Sequence, residues 1–99
     1  MKKFVVSKTA IKSSIVIGDY IEAKFSFRRR EEFIEKLKAA FIIIQNNPES
    51  FPVSEINSNH YRFVLTKQTT IYYKFNNTEI RILALFDTRK NPSKIHKIK

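Results

Sequence analysis

Apolar residues in this chain repeat with a helical period up to Pro48 and with a strand period from Tyr61 onward. A segment patterned for one element spreads its apolar side chains over two faces if forced into the other, so the switch orders the fold. Helices come first and most of the sheet follows. Phe33, Leu37, Ala40, Phe41 and Ile44 have the i, i+4, i+7, i+8, i+11 spacing of one buried helical stripe. Glu31 and Glu32 lie near the N-terminal end of that helix, where the backbone dipole favours acids, and Pro48 stops it after Asn46 and Asn47. Upstream, Ile11, Ile15, Ile21 and Phe25 suggest one stripe of a first helix over about Thr9–Lys24, capped by Ser7 or Thr9 and locally weakened by Gly18. Lys3–Val6 reads as a short strand before it.

Beyond Pro48 the pattern alternates. Tyr61, Phe63 and Leu65 alternate with Arg62 and Val64, and Ile71, Tyr73 and Phe75 with Tyr72 and Lys74. Asn76-Asn77-Thr78 is a tight-turn sequence, since Asn tolerates the positive φ that hairpin turns use. Glu79–Asp87 is apolar on both faces, as a central strand is. The predicted class is α+β, in the order β-α-α-β-β-β: a four-stranded, mostly antiparallel sheet with a helical hairpin on one face. Parity across the hairpins places Ile71, Phe75, Ile80, Ile82, Ala84 and Phe86 against the helices. The open face then gathers Arg62, Tyr72, Lys74, Arg81, Leu83 and Leu85, with Arg89 just past the strand end. The chain's 99 residues suit a single domain over 1–99, with a basic tail over about 90–99.

Charge is the first functional clue. Nineteen Lys and Arg against nine Asp and Glu give a formal net charge of +10, a self-repulsion usually tolerated where a polyanion or acidic partner is bound. After Asp87 there is no acid at all, while Arg89, Lys90, Lys94, Lys97 and Lys99 follow. Guanidinium groups pair with phosphate and a tyrosine ring can stack on a base, so the open face suits an RNA-like ligand. A Lys74–Arg81 pair across the strands, with no acid nearby, points the same way. Face charges that merely keep a sheet in solution are the plainer alternative.

Other chemistries find little support. The chain has no Cys and one Gly, which removes thiolate chemistry and a phosphate-cradling glycine loop. His60 and His96 have no ligand spacing, so neither a metal nor a small-molecule cofactor is expected. Asp19 and Glu22 fit a solvated helix face. His96 could serve as a general acid/base only if the basic tail folds back toward Arg62. The longest apolar run, Ala39–Ile44, is too short to span a bilayer, and the N-terminus lacks a signal-peptide core, so a cytoplasmic protein without membrane contact is expected.

Taken in order, several short segments resemble one family. They are the first strand running into Ser7-x-x-Ala10, Phe51-Pro52 after Pro48, Tyr61-Arg62, Ile71-Tyr72-Tyr73, Ile80-Arg81-Ile82-Leu83, and Phe86-Asp87-Thr88-Arg89-Lys90-Asn91-Pro92. The set resembles the RelE/ParE toxin superfamily over nearly the whole chain. That resemblance implies a growth-inhibiting toxin encoded beside a cognate antitoxin, which wraps and neutralises it and through which the pair binds its operator. RelE-like members cleave messenger RNA on the ribosome; ParE-like members poison DNA gyrase. RNA-cleaving members tend to carry further basic residues at the positions of Val64 and Thr70, so the resemblance leans toward the gyrase-directed branch. On it, Arg62 and Arg89 match functional positions, with His96 joining them only in an RNA-cleaving toxin. Arg62, Tyr72, Lys74, Arg81, Arg89 and Lys90 are the candidate target-binding residues. A non-toxic nucleic-acid-binding module remains the alternative from another class.

Overall fold

The computed structural model describes residues 2–55 and 57–89. Along the chain run β1 (Lys3–Val6), α1 (Lys8–Lys24), α2 (Phe27–Asn46), a 3-10 turn (Pro48–Ser50), β2 (Tyr61–Val64), β3 (Thr69–Phe75) and β4 (Glu79–Asp87). The four-stranded sheet has the order β1-β4-β3-β2, with β1 parallel to β4 and the other neighbours antiparallel. The doubly apolar β4 is indeed interior. Both helices cover one face of the sheet, and among the described residues none is long and apolar enough to cross a membrane.

Ser7 caps α1, its Oγ accepting from the Ala10 amide at 3.0 Å. The buried side of α1 is Ala10, Ile17, Gly18 and Ile21, whereas Ile11, Ile15 and Phe25 are exposed, which corrects the stripe read from the bulkiest residues. Gly18 faces α2, where its lack of a side chain allows close approach. Arg30 of α2 lies alongside Gly18 and reaches Glu22 at 2.8 Å and Asp19 at 3.4 Å, so those two acids anchor an inter-helix pair rather than a bare solvated face. On α2 the expected stripe is kept, with Phe33, Leu37, Ala40 and Ile44 buried and Phe41 half-buried against Phe4. Beneath the helices sit Ile71, Tyr73, Ile80, Ile82 and Leu85. The Tyr73 hydroxyl donates to the Pro48 carbonyl at 2.6 Å, tying the sheet to the end of α2.

Two local expectations fail. The β3–β4 turn uses no positive φ; instead Asn76 Oδ1 accepts from the Thr78 and Glu79 amides, each at 2.9 Å. Parity along β4 holds only as far as Tyr73↔Ile82, after which Tyr72 pairs with Ala84 and Leu83 is left over as a β-bulge. A bulge reverses the facing of everything beyond it. Leu85 and Asp87 therefore turn toward the helices, while Ala84 and Phe86 join the open face.

Two stability measurements follow. Leu85→Ala, in urea unfolding, is expected to cost about 2–5 kcal/mol, as large-to-small core changes do, and Ile11→Ala well under 1 kcal/mol. Gly18→Ala is expected to raise stability by about 0.5–1 kcal/mol, because the added methyl meets only the flexible Arg30 side chain, at 3.5 Å.

Candidate functional site

The open face is built by register. Arg62 lies opposite Tyr72 and Lys74 opposite Arg81, and extending the β2–β3 pairing by one residue sets His60 opposite Lys74. The structure thus brings Arg62, Tyr72, Lys74 and Arg81 together as expected. It adds His60, which the sequence marked only as a titratable residue; its spacing of two from Arg62 was the available clue.

The electrostatics differ from the expectation. Lys74 and Arg81 do face each other, but Glu79 accepts from Arg81 Nε at 2.9 Å, so the pair has an acid beside it. Lys74 is exposed and makes no ion pair among the described residues. Tyr72 is only 4% exposed and meets Phe86 edge-on at 5.9 Å, so its ring offers no face to an incoming base. Burial raises the Tyr72 pKa, opposed by Arg62 and reinforced by Glu55. Burial, helped by the Lys74 charge, lowers that of His60. His60 Nδ1 is buried without a hydrogen-bond partner among the described residues.

Two arginines present their forks differently. Arg89 Nε and Nη2 hold Asp87 Oδ1 and Oδ2 at 3.1 and 2.7 Å, a filled bidentate pair, with the Tyr20 ring centred 5.8 Å away. The fork of Arg62 is unfilled: its buried Nε has no partner among the described residues and its Nη2 stands 3.8 Å from the exposed Glu55. Arg89 also lies on the helical side, because the bulge carries Asp87 there. It does not join Arg62. Lys90 and His96 lie outside the described residues. Among the described residues, no three acid or imidazole side chains converge to hold a metal.

Asp87, fully buried, also accepts from Thr69 Oγ1 at 2.8 Å and from the Arg89 amide at 2.9 Å. Burial pushes its pKa up, but the hydrogen bonds from Arg89 and Thr69, with the Arg89 charge, outweigh it and hold the carboxyl below its ordinary value. The folded carboxylate therefore contributes stability that is fully present above the unfolded value of about 3.9 and is lost as pH falls through the depressed folded value. In thermal melts across pH, the advantage of wild type over Asp87→Asn is expected to be constant above about pH 5 and to shrink below about pH 4. An advantage that grew on acidification would contradict the clamp.

Comparison with known proteins places these features. The family model for the ParE toxin of the type II toxin–antitoxin system parDE matches residues 4–92. Among solved structures, the fold is similar to one from the chromosomal ParDE toxin–antitoxin system of P. aeruginosa, with TM-score 0.77 and 14% identity over 88% of this chain and 96% of that one. It is also similar to YafQ from E. coli strain BL21(DE3), with TM-score 0.63 and 12% identity over 90% and 96% of the two chains. A chain of the E. coli DinJ–YafQ toxin–antitoxin complex matches with TM-score 0.62 and 13% identity over 89% and 93%. No curated protein sequence matches.

Proposed function

Since the chain belongs to the ParE toxin family, and is thus the toxin of a type II toxin–antitoxin pair with a cognate antitoxin as partner, we propose that it acts by binding DNA gyrase through the open face of its sheet. One observation carries the choice over RNA cleavage. Val64 pairs with Thr70 directly beside the Arg62–Tyr72 pair, so the two positions at which the resemblance asks for further basic residues form a neutral patch next to Arg62. Stabilising a pentavalent phosphate and protonating its leaving oxygen takes several cations around one point, and losing one donor costs on the order of 10²–10³ in rate. Arg89, on the helical side, adds nothing there. A binding surface asks less: the unfilled fork of Arg62, the exposed Lys74 and the half-buried Arg81 make an anion-seeking face that needs no proton donor. Tyr72 supports Arg62 from below rather than touching the target, and Arg89 braces the strand end. This reading treats the chain as one toxin domain acting in the cytoplasm, where gyrase works.

Expression alone is expected to arrest growth, and co-expression of the antitoxin to relieve it. Purified protein is expected to inhibit gyrase supercoiling, with Arg62→Ala weakening inhibition about tenfold or more at unchanged thermal stability. Cleavage of ribosome-bound messenger RNA without effect on gyrase would overturn the proposal in favour of the RelE-like alternative.

A further inference from the structure

A second surface lies on the helical side of the sheet, where the end of α1 and the first turns of α2 meet the β2–β3 turn. It is a cleft of about 200 Å³ with Ile21 and Phe33 in its floor. Phe25 stands at its wall, 59% exposed, although the chain has a core in which to bury such a ring. Arg29, Lys36 and Arg89 bring three cations to the lining against the single carboxylate of Glu32. Arg89 is neutralised from behind by Asp87, and Glu32 is shared at 3.8 Å between Arg28 and Arg29. Lys36 has no acid partner among the described residues, so the cleft keeps unmatched positive charge around an apolar floor.

We propose that this cleft is a docking site for the antitoxin, and that it takes an acidic segment which inserts one bulky apolar side chain between Phe25 and Phe33. The inference rests on membership of a toxin–antitoxin family for the partner's existence; the place and the chemistry come from the cleft. A hollow of this size accepts an anchor side chain while the basic rim selects carboxylates beside it, the usual division between a buried anchor and a polar rim. A nucleic acid fits less well, because the floor is aliphatic and aromatic and takes a side-chain anchor rather than a phosphate. The clamp between Asp87 and Arg89 keeps one wall rigid, so that little ordering is needed on binding.

The test is calorimetric titration of the full chain with the antitoxin encoded beside it. Arg29→Glu combined with Lys36→Glu changes two exposed positions on α2 and is expected to weaken binding at least about tenfold, as is Phe25→Ser. Lys12→Glu combined with Lys38→Glu makes the same change in net charge elsewhere on the helices and is expected to leave affinity within about twofold. Wild-type affinity is expected to fall steeply between about 50 and 300 mM salt, and the Arg29→Glu, Lys36→Glu variant to lose most of that dependence. In cells that variant is expected to escape neutralisation by the antitoxin. Equal binding by the cleft variants and wild type would overturn the cleft assignment while leaving toxin–antitoxin pairing intact. No binding by wild type would overturn both. Displacement of the antitoxin by a short single-stranded oligonucleotide, in wild type but not in the cleft double variant, would assign the cleft to nucleic acid instead and so overturn the proposal.

Discussion

A single hydroxyl sets the geometry on which both faces of the molecule depend. Ser7 Oγ accepts from the Ala10 amide at 3.0 Å and so begins α1; it also donates at 2.8 Å to the carbonyl of Leu83, the bulged residue of β4. Its amide donates to the Ile82 carbonyl at 3.0 Å. The end of β1, the start of α1 and the irregular point of β4 are therefore held together. At the bulge β4 changes which side each residue faces. A regular strand would have put Asp87 on the open face, among Arg62 and Lys74, and Arg89 would have followed it. The bulge instead sends that carboxylate and Arg89 to the helical side, away from Arg62 and Lys74.

The contrast between Arg62 and Arg89 follows from this division. Both are arginines near strand ends, and both were matched to functional positions by resemblance. Arg89 met a buried carboxylate two residues away and became part of the scaffold: its fork is filled, and Thr69 and the backbone hold the acid in place. Arg62 sits across from a tyrosine and, among the described residues, has only a distant, exposed Glu55 within reach. Burying the Arg62 Nε without a hydrogen-bond partner among the described residues carries a free-energy cost, whereas Arg89 bears no such cost because its fork is filled. Sequence position alone could not separate a structural arginine from an available one.

Much of the architecture was legible because it depends on periodicity, which the chain carries plainly. The α2 stripe, the breaking of α2 at Pro48, the bounds of β4 and the pairings Arg62↔Tyr72 and Phe63↔Ile71 all emerged from spacing and turn residues. What escaped depends on single contacts. The α1 stripe escapes because bulk is not burial: Ala10 and Gly18 are buried while Ile11 and Ile15 are exposed, and Gly18 lets Arg30 of α2 lie alongside. The bulge at Leu83 has no composition cue, since Leu83, Ala84 and Leu85 are equally apolar, and the reversed facing of Ala84, Leu85 and Phe86 follows from it. Glu79 partners Arg81 because residues two apart on one strand share a face, a contact that cross-strand pairing alone does not reveal.

The two proposed surfaces lie on opposite sides of the sheet, and that has a consequence for neutralisation. An occupant confined to the cleft leaves Arg62 and Lys74 uncovered, so binding there cannot by itself mask a target face on the other side. A segment that does both must pass an edge of the sheet, and the edges are not equivalent. The outer side of β2 is already occupied, because Pro52 accepts from the Arg62 amide at 2.9 Å and Val53 bridges to Tyr61. That pairing covers the start of the outer side of β2. A covering segment starting from the cleft would instead cross at the β2–β3 turn, where Thr66 and Gln68 already form the cleft wall and Val64, 57% exposed, leads onto the open face beside Arg62. The exposed valine gives such a segment an apolar contact midway between two basic regions. An alternation of acidic, apolar and acidic stretches in the antitoxin is thus the pattern this surface would select.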